Sequence, residues 1–219
     1  MDRGLRRTAS YDPDCTRCPR LASYLAESHA RYPEYWCRPV PSFGDPNPKI
    51  VLVGLAPGLH GANRTGRPFT GDHAGILLYE TLFELGLSTA RASLSADDAL
   101  ELRGVRIVNA VKCVPPENKP LPDEIRRCNS YLEAELGTLT QASVLVALGR
   151  IGHDAALLAL GLERSAFLFS HGAEHRLEDD RYLLDSYHCS RYNTQTGRLT
   201  AAMFRAVLER ARELAGAAH

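Results

Sequence analysis

Four short, largely apolar runs punctuate the chain, at 50–53, 105–111, 144–148 and 182–184, with a weaker one at 166–169. Runs of this length and apolar content suit strands buried on both faces of a parallel sheet. Around and between them the apolar positions take a helical period, predicting helices over 18–29, 72–85, 122–139, 151–160 and 200–215. Asp72 is placed to cap the second of these, and Pro122 to open the third, with Asp123 and Glu124 at the positive end of its dipole. Strand–helix alternation predicts an α/β fold, a three-layer αβα sandwich around a central, mostly parallel four-stranded sheet. One domain over 1–219 is expected. Its first 48 residues form a lead-in, since Pro33, Pro39, Pro41, Pro46 and Pro48 forbid a long helix there. Ligands bind such sheets at the carboxyl ends of the strands, which directs attention to the loops after Val53, Val111 and Leu184.

Composition narrows the class. Lys plus Arg and Asp plus Glu both number 26, so the formal net charge is zero and a nucleic-acid-coating basic protein is excluded. A local basic face is not, because only Lys49, Lys112 and Lys119 are lysines and the other 23 cations are arginines, whose forked guanidinium suits phosphate. No apolar run approaches the roughly 20 residues a membrane helix needs, and none follows Arg3, Arg6 and Arg7 as a secretory signal would. A cytoplasmic protein is expected, with its six cysteines read as thiols or metal ligands rather than disulfides.

Cys15 and Cys18 form a C-x-x-C pair ahead of Pro19, while Cys113 follows a predicted strand and Cys128 lies on the next predicted helix. The pair alone reads as a zinc knuckle, an iron–sulfur ligand pair or a redox dithiol, the last weakened by the lack of a preceding strand. The proline-rich loop 114–121 can bring Cys113 and Cys128 to one end of the sheet. Four thiolates there would hold zinc or an iron–sulfur cluster and tie the lead-in to the domain. Cys37 and Cys189 stand outside this set.

Gly54-Leu55-Ala56-Pro57-Gly58 closes the first apolar run and leads into Asn63-Arg64-Thr65-Gly66-Arg67-Pro68-Phe69-Thr70-Gly71-Asp72. The glycines allow positive φ and close approach of backbone to a ligand. Arg64 and Arg67 can meet phosphate, Phe69 offers a flat face for a base, and Asp72 is a carboxylate at a helix start. The segment is neither a Walker loop nor a dinucleotide fingerprint. His188 follows the last apolar run, at a strand's carboxyl end; His60, His73, His171 and His175 lack that placement.

These blocks resemble the iron–sulfur uracil-DNA glycosylases. Family 4 reads Gly-Glu-Ala-Pro-Gly in the first motif, followed by Arg-Thr-Gly-Arg-Pro-Phe-Val-Gly; here Leu55 replaces the Glu and Asp72 follows Gly71, the combination of family 5, the b type. Residues 109–116, Asn-Ala-Val-Lys-Cys-Val-Pro-Pro, are similar to the family's second block, and 188–193, His-Cys-Ser-Arg-Tyr-Asn, occupy the place of its His-Pro-Ser motif, with Cys189 for the proline. The resemblance spans 15 to about 205. It implies a monomeric glycosylase that flips uracil out of DNA and excises it hydrolytically, with hypoxanthine and xanthine as further candidates. It implies a 4Fe–4S cluster on Cys15, Cys18, Cys113 and Cys128. Gly54, Leu55, Ala56, Pro57, Gly58, Phe69 and Asn109 would form the base pocket, and Asp72 and His188 the catalytic pair. Arg64, Arg67, Ser190 and Arg191 would contact DNA. No lysine suits Schiff-base chemistry, Lys112 being expected to point away. Two other readings stay open because Leu55 is apolar: a non-catalytic iron–sulfur or zinc DNA- or nucleotide-binding module, and a zinc-stapled nucleoside hydrolase using Asp72.

Overall fold

The structure, a computed structural model, describes residues 10–217. After the Cys15/Cys18 turn comes α1 (Pro19–Arg31), with Pro19 at its first position, where the missing N–H is no loss. The proline-rich stretch then holds only a two-residue strand, β1 (Phe43–Gly44). Next in order are β2 (Ile50–Gly54), α2 (Ala62–Thr65), α3 (His73–Glu84), β3 (Val105–Asn109), α4 (Pro122–Thr138), β4 (Val144–Leu148), α5 (Arg150–Ala159), β5 (Glu174–Arg176), β6 (Tyr182–Ser186), α6 (Arg191–Gln195) and α7 (Ala201–Ala217).

The sheet has six strands, not four, in the order β1-β3-β2-β4-β6-β5. The four expected strands form its parallel centre; β1 and β5 pair antiparallel at the edges. Neither edge shows in the apolar pattern, since β1 has two residues and β5 reads Glu-His-Arg. The weak run at 166–169 is not a strand. A 3-10 turn covers Arg164–Ala166, and Leu168 stands 74% exposed between Phe167 and Phe169.

Alternation along the central strands feeds two cores. Ile50, Leu52, Ile107, Val144 and Val146 face α3 and α7, meeting Leu78, Leu82, Phe204 and Leu208. Val51, Val53, Val108, Leu145 and Leu183 face α4 and α5, meeting Leu132, Leu136, Ala155 and Leu157. Helices on both faces explain why the runs are largely apolar on both sides. A third cluster packs α1, through Leu21 and Leu25, onto Val111, Val114 and Tyr131. From β2 the chain moves outward to β3, then crosses back to β4 on the other side of β2. That reversal opens a crevice at the carboxyl ends of β2, β3 and β4, the usual ligand position in such sheets.

Candidate active site

β2 ends at Gly54, and the space a side chain would need there is already taken. A Cβ on Gly54 would lie 2.5 Å from Asn109 Oδ1 and 2.9 Å from the Phe69 ring. Glycine thus lets the amide closing β3 and the ring of the following loop converge on one spot. Asn109 is buried, and its amide makes no protein hydrogen bond among the described residues. Phe69 holds φ of +54°, a conformation rare for a bulky residue and a mark of functional constraint. Its ring lies roughly parallel to that of His188, centroids 5.9 Å apart.

Asp72 caps α3, Oδ1 accepting from the Gly75 N–H at 2.9 Å. Its other oxygen faces the loop: a Cβ at Gly61 would sit 2.5 Å from Oδ2, and one at Gly58 3.8 Å away. Burial raises the Asp72 pKa, and the N–H groups of Gly75 and Ala74 only partly offset this. One carboxylate therefore caps the helix with one oxygen and presents the other to the Gly58–Gly61 turn.

His188 follows β6. Gly149, at φ of +92°, packs where a Cβ would lie 3.2 Å from the His188 Cβ, so the β4–α5 turn holds the histidine from one side. The Asn193 amide donates to the His188 carbonyl at 2.8 Å from the other. Enclosure of the ring pushes its pKa down to about 4, leaving a neutral imidazole at neutral pH. Ser190 caps α6, and Cys189 is fully buried in the core.

A cleft of about 410 Å³ opens beside His188, lined by Leu55, Gly149, Arg150, Phe169, Tyr187 and Arg198 among others. Arg150 lies over the Phe169 ring at 5.3 Å and Arg198 over Tyr187 at 4.6 Å. Sequence reasoning missed both arginines. The loop after Leu148, which carries Arg150, is also a strand end but bears no motif, and Arg198 lies beyond α6. Like Arg64 and Arg191, both lack a carboxylate partner among the described residues. Arg67 does not join them. It is 5% exposed, ion-paired to Asp98, and donates to Ser93 Oγ at 3.0 Å and the Ala96 carbonyl at 2.6 Å. Its buried guanidinium fastens the 93–98 loop beneath the motif and is not presented to DNA.

Cys15, Cys18, Cys113 and Cys128 line one small cavity with Leu21, Val111 and Tyr131. The Lys112 N–H donates to Cys128 Sγ at 3.3 Å. Burial, then the neighbouring cysteines, raise the Cys113 pKa. Four thiols crowded in an apolar cavity suit a cationic group that accepts them all as thiolates. Lys112 does point away: its Nζ is buried against Ser42 Oγ at 2.9 Å and Glu135 Oε2 at 3.2 Å.

An αβα sandwich with an amide, an aromatic ring, a carboxylate and an imidazole gathered at its strand ends is built to hold a small planar polar ligand. The sequence model of the Uracil DNA glycosylase superfamily matches residues 41–212, and the chain belongs to that superfamily. A type-5 uracil-DNA glycosylase of Thermus thermophilus is 54% identical over 92% of this chain and 94% of its own length. One from Pyrobaculum aerophilum is 45% identical over 93% and 90%. A type-4 uracil-DNA glycosylase of Archaeoglobus fulgidus is 38% identical, over 51% of this chain and 48% of its own.

Proposed function

We propose that the protein is a monofunctional uracil-DNA glycosylase of the type-5 kind, hydrolysing the N-glycosidic bond of a flipped deoxyuridine to leave an abasic site. The observation that carries this reading is the convergence of Asn109 and Phe69 on Gly54, with Asp72 and His188 beside them. A base cannot react inside the stack and must swing into a pocket. Phe69 stacks on it, and the Asn109 amide, with both donor and acceptor, matches a uracil carbonyl and N–H together.

Bond breaking leaves positive charge on the sugar and negative charge on the departing base. Neutral His188 donates an N–H to that anion, helped by backbone N–H groups of the 55–58 loop, and preorganised donors of this kind supply the main stabilisation. The free oxygen of Asp72 steadies the cationic sugar and orients the attacking water. Leu55 gives the water no polar partner, which leaves that task to Asp72. Leu55, apolar where family 4 carries Glu, also supports hypoxanthine and xanthine as substrates. Arg64, Arg150, Arg191 and Arg198 bind phosphates, with Ser190 against the strand.

Cys15, Cys18, Cys113 and Cys128 hold a 4Fe–4S cluster, a structural cross-link between the lead-in and α4. Arg20 reinforces the tie through Glu124, at 2.8 and 2.7 Å. No helix among the described residues is long and apolar enough to cross a membrane. The unpaired cysteines support a cytoplasmic setting, and one copy supplies every site group, which supports a monomer. The test is release of free base from oligonucleotides carrying uracil, hypoxanthine or xanthine, single- and double-stranded. Uracil release with an abasic product is expected; DNA binding without release of any base would favour the non-catalytic module.

A further inference from the structure

The most deeply buried carboxylate among the described residues lies on β6 and has no part in the chemistry above. Asp185, on β6 three residues before His188, is 0% exposed. His153, in the second turn of α5, is 1% exposed, with Nδ1 2.7 Å from Asp185 Oδ1 and Nε2 2.9 Å from the Phe167 carbonyl oxygen. The Phe167 carbonyl oxygen only accepts, and so does Asp185 Oδ1 as a carboxylate. A neutral imidazole has one N–H and one lone pair, so a neutral His153 would set its lone pair against an oxygen lone pair at hydrogen-bonding distance. Only the imidazolium donates to both.

We propose that His153 is a positioning residue, an imidazolium clamp that joins α5, the end of β6 and the 167–170 turn and so holds His188, Phe169 and Tyr187 in their places around the cleft. The connections are short. Gly149, at the start of α5, donates to the Ser186 carbonyl at 2.8 Å and packs on His188. Phe169 meets the His153 ring edge-on at 5.6 Å and lies 6.3 Å from the Tyr187 ring. The titratable groups facing the pair are His175 on β5, with Nε2 3.4 Å from Asp185 Oδ2, and Asp154 on α5 itself. Burial works against a charged His153, but the Asp185 contact, the Phe167 carbonyl and Asp154 outweigh it, and the pKa is raised. The clamp is therefore intact below that raised pKa and loosens as pH rises through it.

The proposal rests on His188 as the donor to the leaving base, and the test separates the two. Long-range proton–nitrogen spectra of the labelled full chain at about pH 7.5, above the ordinary imidazole value of about 6.5, should show both His153 nitrogens protonated and His188 neutral. A singly protonated His153 would overturn the clamp whatever the activity. In Asp185→Asn the new amide donates to Nδ1, so His153 becomes neutral while both contacts persist. Its single-turnover uracil release should stay within a few-fold of wild type near neutrality and lose the wild type's alkaline decline. His153→Ala should release uracil about tenfold or more slowly, since small displacements of a reacting group carry penalties of that order, with affinity for abasic DNA unchanged. Should His153→Ala fail to fold, the spectra and the Asp185→Asn profile still decide. An alkaline limb identical in wild type and Asp185→Asn, or a full rate in folded His153→Ala, refutes the positioning role. A full rate in His188→Ala would refute the donor assignment alone.

Discussion

Gly54 shows how one missing side chain organises the pocket. A methyl there would press on Asn109 Oδ1 and on the Phe69 ring, both held in the core. Gly54→Ala should therefore lower single-turnover uracil release about a hundredfold and reduce the melting temperature modestly, checked by quench kinetics and thermal unfolding. Asp72 works as a carboxylate, and its pKa is raised above the ordinary value. Protonation on the acid side removes its charge, so the rate should climb with pH through that raised value, and Asp72→Asn should flatten the limb. His188, pushed down to about 4, is neutral near neutrality and adds no limb there. Most of these residues were legible because the chemistry needs particular residue types at motif spacing. Arg67 was not: its partner Asp98 is 31 residues away, and nothing local distinguishes a buried arginine from a phosphate-binding one. Arg67→Met should destabilise the fold by about 2–4 kcal/mol, the scale for leaving a partly buried charge and carbonyl unpaired, measured by denaturant unfolding.

Among the elements, the central strands and large helices matched their apolar patterns to within a few residues, because two-sided burial makes most strand positions apolar. The edges escaped for the converse reason. β5 is partly exposed and polar, and β1 gains its conformation from pairing Phe43 with Ile107 rather than from its own composition. α1 is amphipathic enough to be read, but its docking depends on the Cys15/Cys18 end, on Arg17 donating to the Arg127 carbonyl at 2.6 Å, and on Arg20 with Glu124. Removing the cluster, by iron chelation or by Cys128→Ser, should free amide exchange first in residues 19–31 while β2 and β4 stay protected. The untreated protein should contain about four irons per chain.

Across the whole molecule, a net charge of zero conceals local differences. Arg106, Arg205 and Arg210 are ion-paired to Glu135, Glu84, Glu209 and Glu174. Arg64, Arg150, Arg191 and Arg198 have no carboxylate partner among the described residues and are the proposed phosphate contacts. Each should contribute about one counterion to the salt dependence of DNA binding, so Arg150→Ala or Arg198→Ala should reduce the log–log slope by about 1, while Arg67→Met leaves it unchanged. The central claim is that these strand ends excise uracil with Asp72 and His188. Its most direct test is single-turnover release of uracil from a labelled oligonucleotide by wild type, Asp72→Asn and His188→Ala, each verified as folded. The account predicts an abasic product from wild type and a loss of about two or more orders of magnitude in each variant; wild-type rates in both would contradict it.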